Sequence, residues 1–295
     1  MKSAIVSLGE KREYANNFLS GKLRFSRRSI HEIGIVHADV PVTVYTLGYS
    51  GDEICGFSEK KLGRIMKKCI SALLSRGVMS VYLTDEVIEY VGRDYFSGHF
   101  RLPDGRRIFD ALLCEIIHSC PECEKMPLPD AEIGIWQYCF DERGYNILQR
   151  VCDCFKYITV FTKSDTAARM YADRLYEAAG ISVKVSHKTS HLNKCDVAVL
   201  ADRLDSPITN ENTLIIDESG LYPYRCRNKA EFLLPFGFNA LMGYFGDADC
   251  RCVDFLFDAC GIVMSKNSDI NALLESIGCS FKKIIYKPHK NIDNT

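Results

Sequence analysis

The chain has 295 residues, of which 47% are hydrophobic, with 37 Lys and Arg set against 38 Asp and Glu. That length suits two domains of roughly 130 to 160 residues, and the apolar share is enough for ordinary globular cores. A formal net charge of -1 gives no overall attraction to polyanions, so nucleic acid is not an expected partner.

Apolar runs such as 195-CDVAVLA-201 fall far short of the roughly 18 residues a membrane span needs. The first residues, MKSAIVSLGEKREYANNF, carry a brief apolar patch soon broken by charge and do not read as a secretory signal. A cytoplasmic protein without membrane attachment is therefore expected. On that reading the fourteen cysteines are reduced thiols, most of them small buried hydrophobes such as Cys69 and Cys195.

Signals over residues 1–40 are weak, although 33–39 and 41-PVTVYTLGY-49 make two β segments rich in valine and tyrosine. Residues 58–77 place Leu62, Ile65, Met66, Cys69, Ile70, Leu73 and Leu74 at helical spacing, with Ser58 as N-cap and Gly77 as stop. The following 78-VMSVYLT-84 reads as a strand, so a parallel crossover is expected in the first half. Gly98 and the turn Pro103-Asp104-Gly105 make 92–107 irregular, and a helix is expected over 107–119. The proline-rich 120-CPECEKMPLPD-130 reads as a stiff connector between an N-terminal α/β domain, 1–125, and a second domain, 126–295.

From Glu132 the order is regular. Strands are expected over 132–138, 157–162, 181–186, 196–201 and 213–217, with helices over 144–155 and 165–180. Such alternation gives a Rossmann-like, doubly wound parallel sheet of order 3-2-1-4-5, whose ligand crevice lies beyond the carboxyl ends of strands one and four. Tyr138, Asp141, Glu142, Arg143, Asp202, Asp217 and Glu218 are the side chains expected at that crevice. Tyr222, Tyr224, Arg225 and Arg227, with the turn at Gly220 and Pro223, could extend it or meet a partner. The apolar stretch 232–245 and helices around 253–261 and 269–278 are expected to complete the second domain, ahead of a frayed tail over 288–295.

Thr162, Lys163 and Ser164, followed by 165-DTAARMYADRL-175 and the buried strand 195–201, resemble the NADP-binding domains of shikimate dehydrogenases and glutamyl-tRNA reductases. There the second strand ends in Asn-Arg-Thr. The resemblance implies NADP as cofactor, with Lys163 pairing with a ribose 2'-phosphate, Ser164 hydrogen-bonding it, and Thr162 and Gly144 in the same binding set.

The departures from that family are specific. Closely spaced glycines after strand one let backbone amides approach a pyrophosphate, and here 138-YCFDERG-144 retains only Gly144. Asp141 and Glu142 put negative charge where phosphates would arrive. The same loop argues against a methyltransferase. Neither the lysine segment of shikimate dehydrogenases nor the cysteine segment of glutamyl-tRNA reductases is present, so no catalytic residue transfers. The sequence therefore points to a binding protein that takes a small molecule or a partner at the switch point without dinucleotide chemistry, the alternative being an NADP-dependent reductase with an atypical cofactor loop.

His118, Cys120 and Cys123 have the chain's best metal-like spacing but lack a fourth ligand, and the deaminase His-x-Glu signature is absent. Cys152 and Cys154, and Cys250, Cys252 and Cys260, do not make the thiolate quartet of an iron-sulfur site. His187 and His191 read as solvated loop residues.

Overall fold

The computed structural model describes residues 2–9, 29–35, 40–123, 128–219, 221–224, 226–235, 238–246, 248–265 and 268–286. Gly220, Arg225, the tail 288–295 and parts of the expected strand 33–39 and connector 120–130 lie outside the described residues.

The elements begin with β1 (Lys2–Ser7), β2 (Ser29–Ile35), β3 (Val40–Thr46), α1 (Gly51–Cys55), α2 (Glu59–Leu74) and β4 (Val78–Leu83). Four short helices follow: α3 (Asp85–Tyr90), α4 (Asp94–Ser97), α5 (Arg106–Ala111) and α6 (Leu113–His118). The regular segment comprises β5 (Glu132–Trp136), α7 (Glu142–Val151), β6 (Tyr157–Phe161), α8 (Asp165–Ala179), β7 (Val183–Ser186), β8 (Val197–Leu200) and β9 (Leu214–Asp217). The chain ends with β10 (Arg227–Leu233), α9 (Asn239–Phe245), α10 (Cys250–Ala259), α11 (Ile270–Ser276) and β11 (Ser280–Tyr286). No helix of the described residues is long and apolar enough to cross a membrane.

Two compact units emerge: Met1–Gly105 with Phe232–Ser280, and Arg106–Glu231 with Phe281–Thr295. These units are not continuous in sequence, and α10 belongs to the first of them. The reason is chemical. Asp254 and Asp258, one helical turn apart and each 1% exposed, both pair with the Arg101 guanidinium. Ser80 Oγ donates to Asp258 at 2.7 Å and the Gly105 amide donates to Asp254 at 3.1 Å. Buried carboxylates need such partners, and α10 finds them on β4 and the segment beside it.

In the first unit β1 is central and parallel to both β3 and β4, while β2 runs antiparallel to β3, giving the order β2-β3-β1-β4. Helix α2 forms as its spacing dictates: Ser58 caps it by accepting the Lys61 amide, and Met66, Cys69, Ile70 and Leu73 are buried. The expected helix over 107–119 is instead interrupted at Leu112, which separates α5 from α6.

The second unit contains the parallel order β7-β6-β5-β8-β9, extended by β10 and β11. Numbered from Glu132 onward, its first five strands have the order 3-2-1-4-5 that crossover handedness favours. Ile133 sits in register with Ile158 on one side and Val197 on the other. The four residues of β8 are all fully buried, as a strand covered on both faces requires. Helix α8 ends at Gly180, whose φ of 70° is a left-handed C-cap.

Candidate functional site

The winding reverses between β5 and β8, so the segments leaving their carboxyl ends define the place where ligands bind in sheets of this order. Here those segments are tied together by the chain itself. The Tyr138 amide donates to Asp202 Oδ2 at 2.9 Å. The Tyr138 carbonyl accepts the Lys163 amide at 3.0 Å and the Thr162 hydroxyl at 3.1 Å. Tyr138 itself stays 58% exposed, and Trp136 beneath it donates its indole N–H to the Arg203 carbonyl at 3.1 Å.

Helix α7 starts at this point, and its first amides are the groups that would hold a phosphate. They are already occupied. Asp141 Oδ1 accepts the Arg143 amide at 2.9 Å and the Gly144 amide at 3.2 Å. The buried Gln137 side chain donates to the same oxygen at 2.9 Å and accepts the Asp141 amide at 3.4 Å. Burial raises the Asp141 pKa, but the bonds from Gln137, Gly144 and Arg143 and the Arg143 charge outweigh it and hold the carboxyl below its ordinary value. The carboxylate is thus the chain's own anion at the head of α7.

Gly144 serves this packing by its lack of a side chain. A Cβ there would lie 2.1 Å from Gln137 Oε1 and 2.7 Å from the Phe140 ring. Gln137 was not among the residues singled out from sequence, because a glutamine at a strand end resembles any solvated polar residue; its three-residue run-up to a cap aspartate was the one available signal.

Arg143 closes the opposite side of the crevice. Its guanidinium donates to the Ala201 carbonyl at 3.2 Å, beyond β8, and pairs with Glu218, beyond β9. The Glu218 side chain is 1% exposed. Asp217 is turned into its own loop, accepting Ser219 Oγ at 2.6 Å and the Tyr222 amide at 3.0 Å. Asp217 and Glu218 are therefore internal supports and do not project into an open crevice. Glu142 opens α7 as an exposed residue.

Beyond β6, Thr162 is fully buried and its hydroxyl accepts the Ser164 amide at 3.1 Å. Ser164 is the N-cap residue of α8 but makes no side-chain cap bond, and Lys163 is exposed. His187 places Nδ1 3.0 Å from the Thr162 carbonyl and Nε2 2.7 Å from Asp165 Oδ2. Both ring nitrogens thus face oxygen acceptors, which fixes the ring against the head of α8.

The metal-like trio is not drawn together. His118 Nδ1 donates to the Cys114 carbonyl at 2.6 Å, and the buried Cys120 thiol donates to the Ile116 carbonyl at 3.2 Å. Among the described residues no three His, Cys, Asp or Glu side chains are grouped to hold a metal.

No family model and no curated protein matches the chain. Among solved structures, it is similar to Thermococcus litoralis Δ1-pyrroline-2-carboxylate reductase in complex with NADH and L-proline, at 15% identity and a TM-score of 0.28 over 38% of this chain and 36% of that one. It is similar to L-tryptophan dehydrogenase from Nostoc punctiforme, at 12% identity and a TM-score of 0.31 over 72% and 61% of the two chains. A shikimate 5-dehydrogenase-like protein aligns at 10% identity and a TM-score of 0.33 over 94% and 96%. The chain thus spans less than two thirds of the first two structures, and its α/β, Rossmann-like character rests on its own strand order.

Proposed function

We propose that this chain is a Rossmann-like binding protein that takes a small molecule or a partner at the rim of its switch point and does not perform ordinary dinucleotide chemistry. The observation that carries this reading is the Asp141 carboxylate, which occupies the Arg143 and Gly144 amides at the head of α7. An incoming pyrophosphate would have to displace an anion held by three hydrogen bonds and would meet its charge at close range. Exposed groups at this rim include Tyr138, Cys139, Glu142 and Lys163, with Asp202 partly accessible.

Isothermal titration and thermal shift with NAD, NADP, S-adenosylmethionine and a panel of anionic metabolites test the reading, since native-state binding raises apparent stability. Trp136, the single tryptophan, reports on the same site by fluorescence. The expected outcome is no saturable response to NAD or NADP, and for any other ligand a loss of affinity in Tyr138→Ala or Lys163→Ala. Stoichiometric NADP binding would overturn it.

A second reading, an NADP-dependent reductase, is favoured by one observation: the head of α8 carries an exposed Lys163 and no side-chain cap from Ser164. It requires that Lys163→Ala weaken NADP binding while sparing NAD. Equal affinity for NADP in wild type and variant would remove its support.

A further inference from the structure

The segment that leads from β7 back to β8 is short for its task. The steps from β5 to β6 and from β6 to β7 run one way along the sheet and pass through α7 and α8, whereas the step from β7 to β8 reverses direction. Right-handed connections therefore put it on the opposite face. A parallel crossover usually needs about a dozen residues or more, with an α-helix among them, and here it holds the six-residue 3-10 helix Thr189–Lys194. That helix is pressed onto the middle of β5, where a Cβ on Gly134 would lie 2.9 Å from both Leu192 Cδ2 and Cys195 Sγ.

The amino end of the same face is left as a groove of about 620 Å³. Its lining follows from strand register: Glu132 lies opposite Tyr157, and Thr159 opposite Lys184. Side chains two residues apart share a face, so these four line the groove together, joined by Ser182 and Asp196. A parallel sheet covered on both faces carries Val, Ile or Leu at such places. This end of the face is polar instead.

The charges are sorted by strand. Beside β5 and β8, the Glu132 carboxylate accepts the Thr159 hydroxyl at 3.1 Å, and the Glu132 amide donates to Asp196 Oδ2 at 2.8 Å, so both half-buried carboxylates are held in place. On β7, Lys184 is exposed and has no ion pair among the described residues. Two strand spacings separate β7 from β5, roughly 10 Å. Between them the Tyr157 ring is 58% exposed, and Lys194 joins the lining from the crossover. Lys156 and Asp130, which also line the groove, pair with each other at 3.8 Å.

We propose that this groove binds a short unblocked peptide of about three residues, its ammonium group at Glu132 and Asp196 and its carboxylate at Lys184. Three extended residues span about 10 Å, which matches the separation of the two charged ends; a single amino acid would reach only one of them. Ser182 and Lys194 supply donors for the peptide carbonyls, and Tyr157 covers the middle side chain. The site lies at the opposite end of the strands from the switch point, so it stands or falls independently of the ligand taken there.

The test uses the full chain, with isothermal titration and amide correlation spectra, and trialanine as probe beside its N-acetyl form, its C-terminal amide and the doubly blocked peptide. Free trialanine should bind saturably and shift the amides of Glu132, Thr159 and Lys184. Each single block should weaken binding by about tenfold, the scale of one charge-assisted contact. Lys184→Gln, an exposed substitution, should weaken free trialanine to the same extent and leave the affinity for the C-terminal amide unchanged. Glu132→Gln keeps an acceptor for Thr159 and should weaken the free peptide while sparing the N-acetyl form. The proposal is overturned by an absence of saturable binding, by equal binding of free and doubly blocked peptide, by shifts confined to Tyr138 and Lys163, or by a Lys184→Gln loss that is the same for free and amidated peptide.

Discussion

The Asp141 carboxylate accepts the Gly144 amide at 3.2 Å, so the chain supplies its own anion to the head of α7. Capping oxygens of this kind are worth about 1 kcal/mol. Asp141→Ala should lower the unfolding free energy by about that much in urea titrations, and Asp141→Asn, which keeps an acceptor, should lower it less. The folded Asp141 carboxyl lies below the ordinary 3.8. Its contribution is therefore fully present above the unfolded pKa and is lost as pH falls through the depressed folded value. Urea midpoints measured from about pH 5 down to about pH 2 should fall less steeply in Asp141→Asn than in wild type. Parallel acid limbs would count against this assignment.

Gly144→Ala sets two effects against each other. Inside a helix alanine is favoured over glycine by ~1 kcal/mol, but here the new methyl would lie 2.1 Å from Gln137 Oε1 and 2.7 Å from Phe140. Gln137 is held by Asp141 and Phe140 is buried, so neither moves freely, and overpacking of this kind costs about 1–3 kcal/mol. The clash should win, giving a lower melting temperature than wild type. The combination with Gln137→Ala should recover part of the loss; if Gly144→Ala alone is stabilising, the packing around the helix start is looser than described.

The Arg143–Glu218 pair joins the α7 start to the loop after β9, with Glu218 almost wholly buried. Removing one partner of a buried pair costs about 3–5 kcal/mol, whereas replacing both by apolar groups of similar size is often close to neutral. Arg143 is 23% exposed at its side chain, which places its loss at the lower end of that range. Arg143→Met and Glu218→Leu should each be clearly destabilising, and the double variant less so than their sum. Strict additivity in a double-mutant cycle would show that the pair is not coupled.

These residues also show why part of the architecture was readable from sequence. The strand order came through because β6 and β8 are buried runs and α8 ends at a glycine with a left-handed backbone, signals that depend on local chemistry. Strand β1 was missed because its apolar stretch is short; its neighbours β3 and β4, distant in sequence, complete it. Strands β10 and β11 escaped for a related reason, since 227-RNKAEFL-233 and 280-SFKKIIY-286 carry charges that suit the outer strands of a sheet. At the site, Asp141 reads in sequence as a charge opposed to phosphate, and the folded backbone adds that it is also the cap of α7. Glu218 and Asp217 gave no sign that they turn inward, because their partners Arg143, Ser219 and Tyr222 are chosen by tertiary geometry.

The first unit offers a sharper test of buried charge. Arg101 reaches both Asp254 and Asp258, so Arg101→Met strips one described partner from each of two carboxylates that are 1% exposed. Removing one member of a buried ion pair costs about 3–5 kcal/mol, and the 40% exposure of the Arg101 side chain places its loss toward the lower end of that range. Asp258→Asn is milder: the asparagine oxygen can still accept from Arg101, and the Ser80 hydroxyl can turn to accept from the new amide in place of donating to the carboxylate. That change should cost about 1–2 kcal/mol, the scale of one altered hydrogen bond. Chemical denaturation should therefore rank Arg101→Met well below Asp258→Asn, with Asp254→Asn also milder than the arginine loss. If Asp258→Asn proves as damaging as Arg101→Met, the anchoring of α10 depends on the carboxylate charge itself and not on the shared guanidinium.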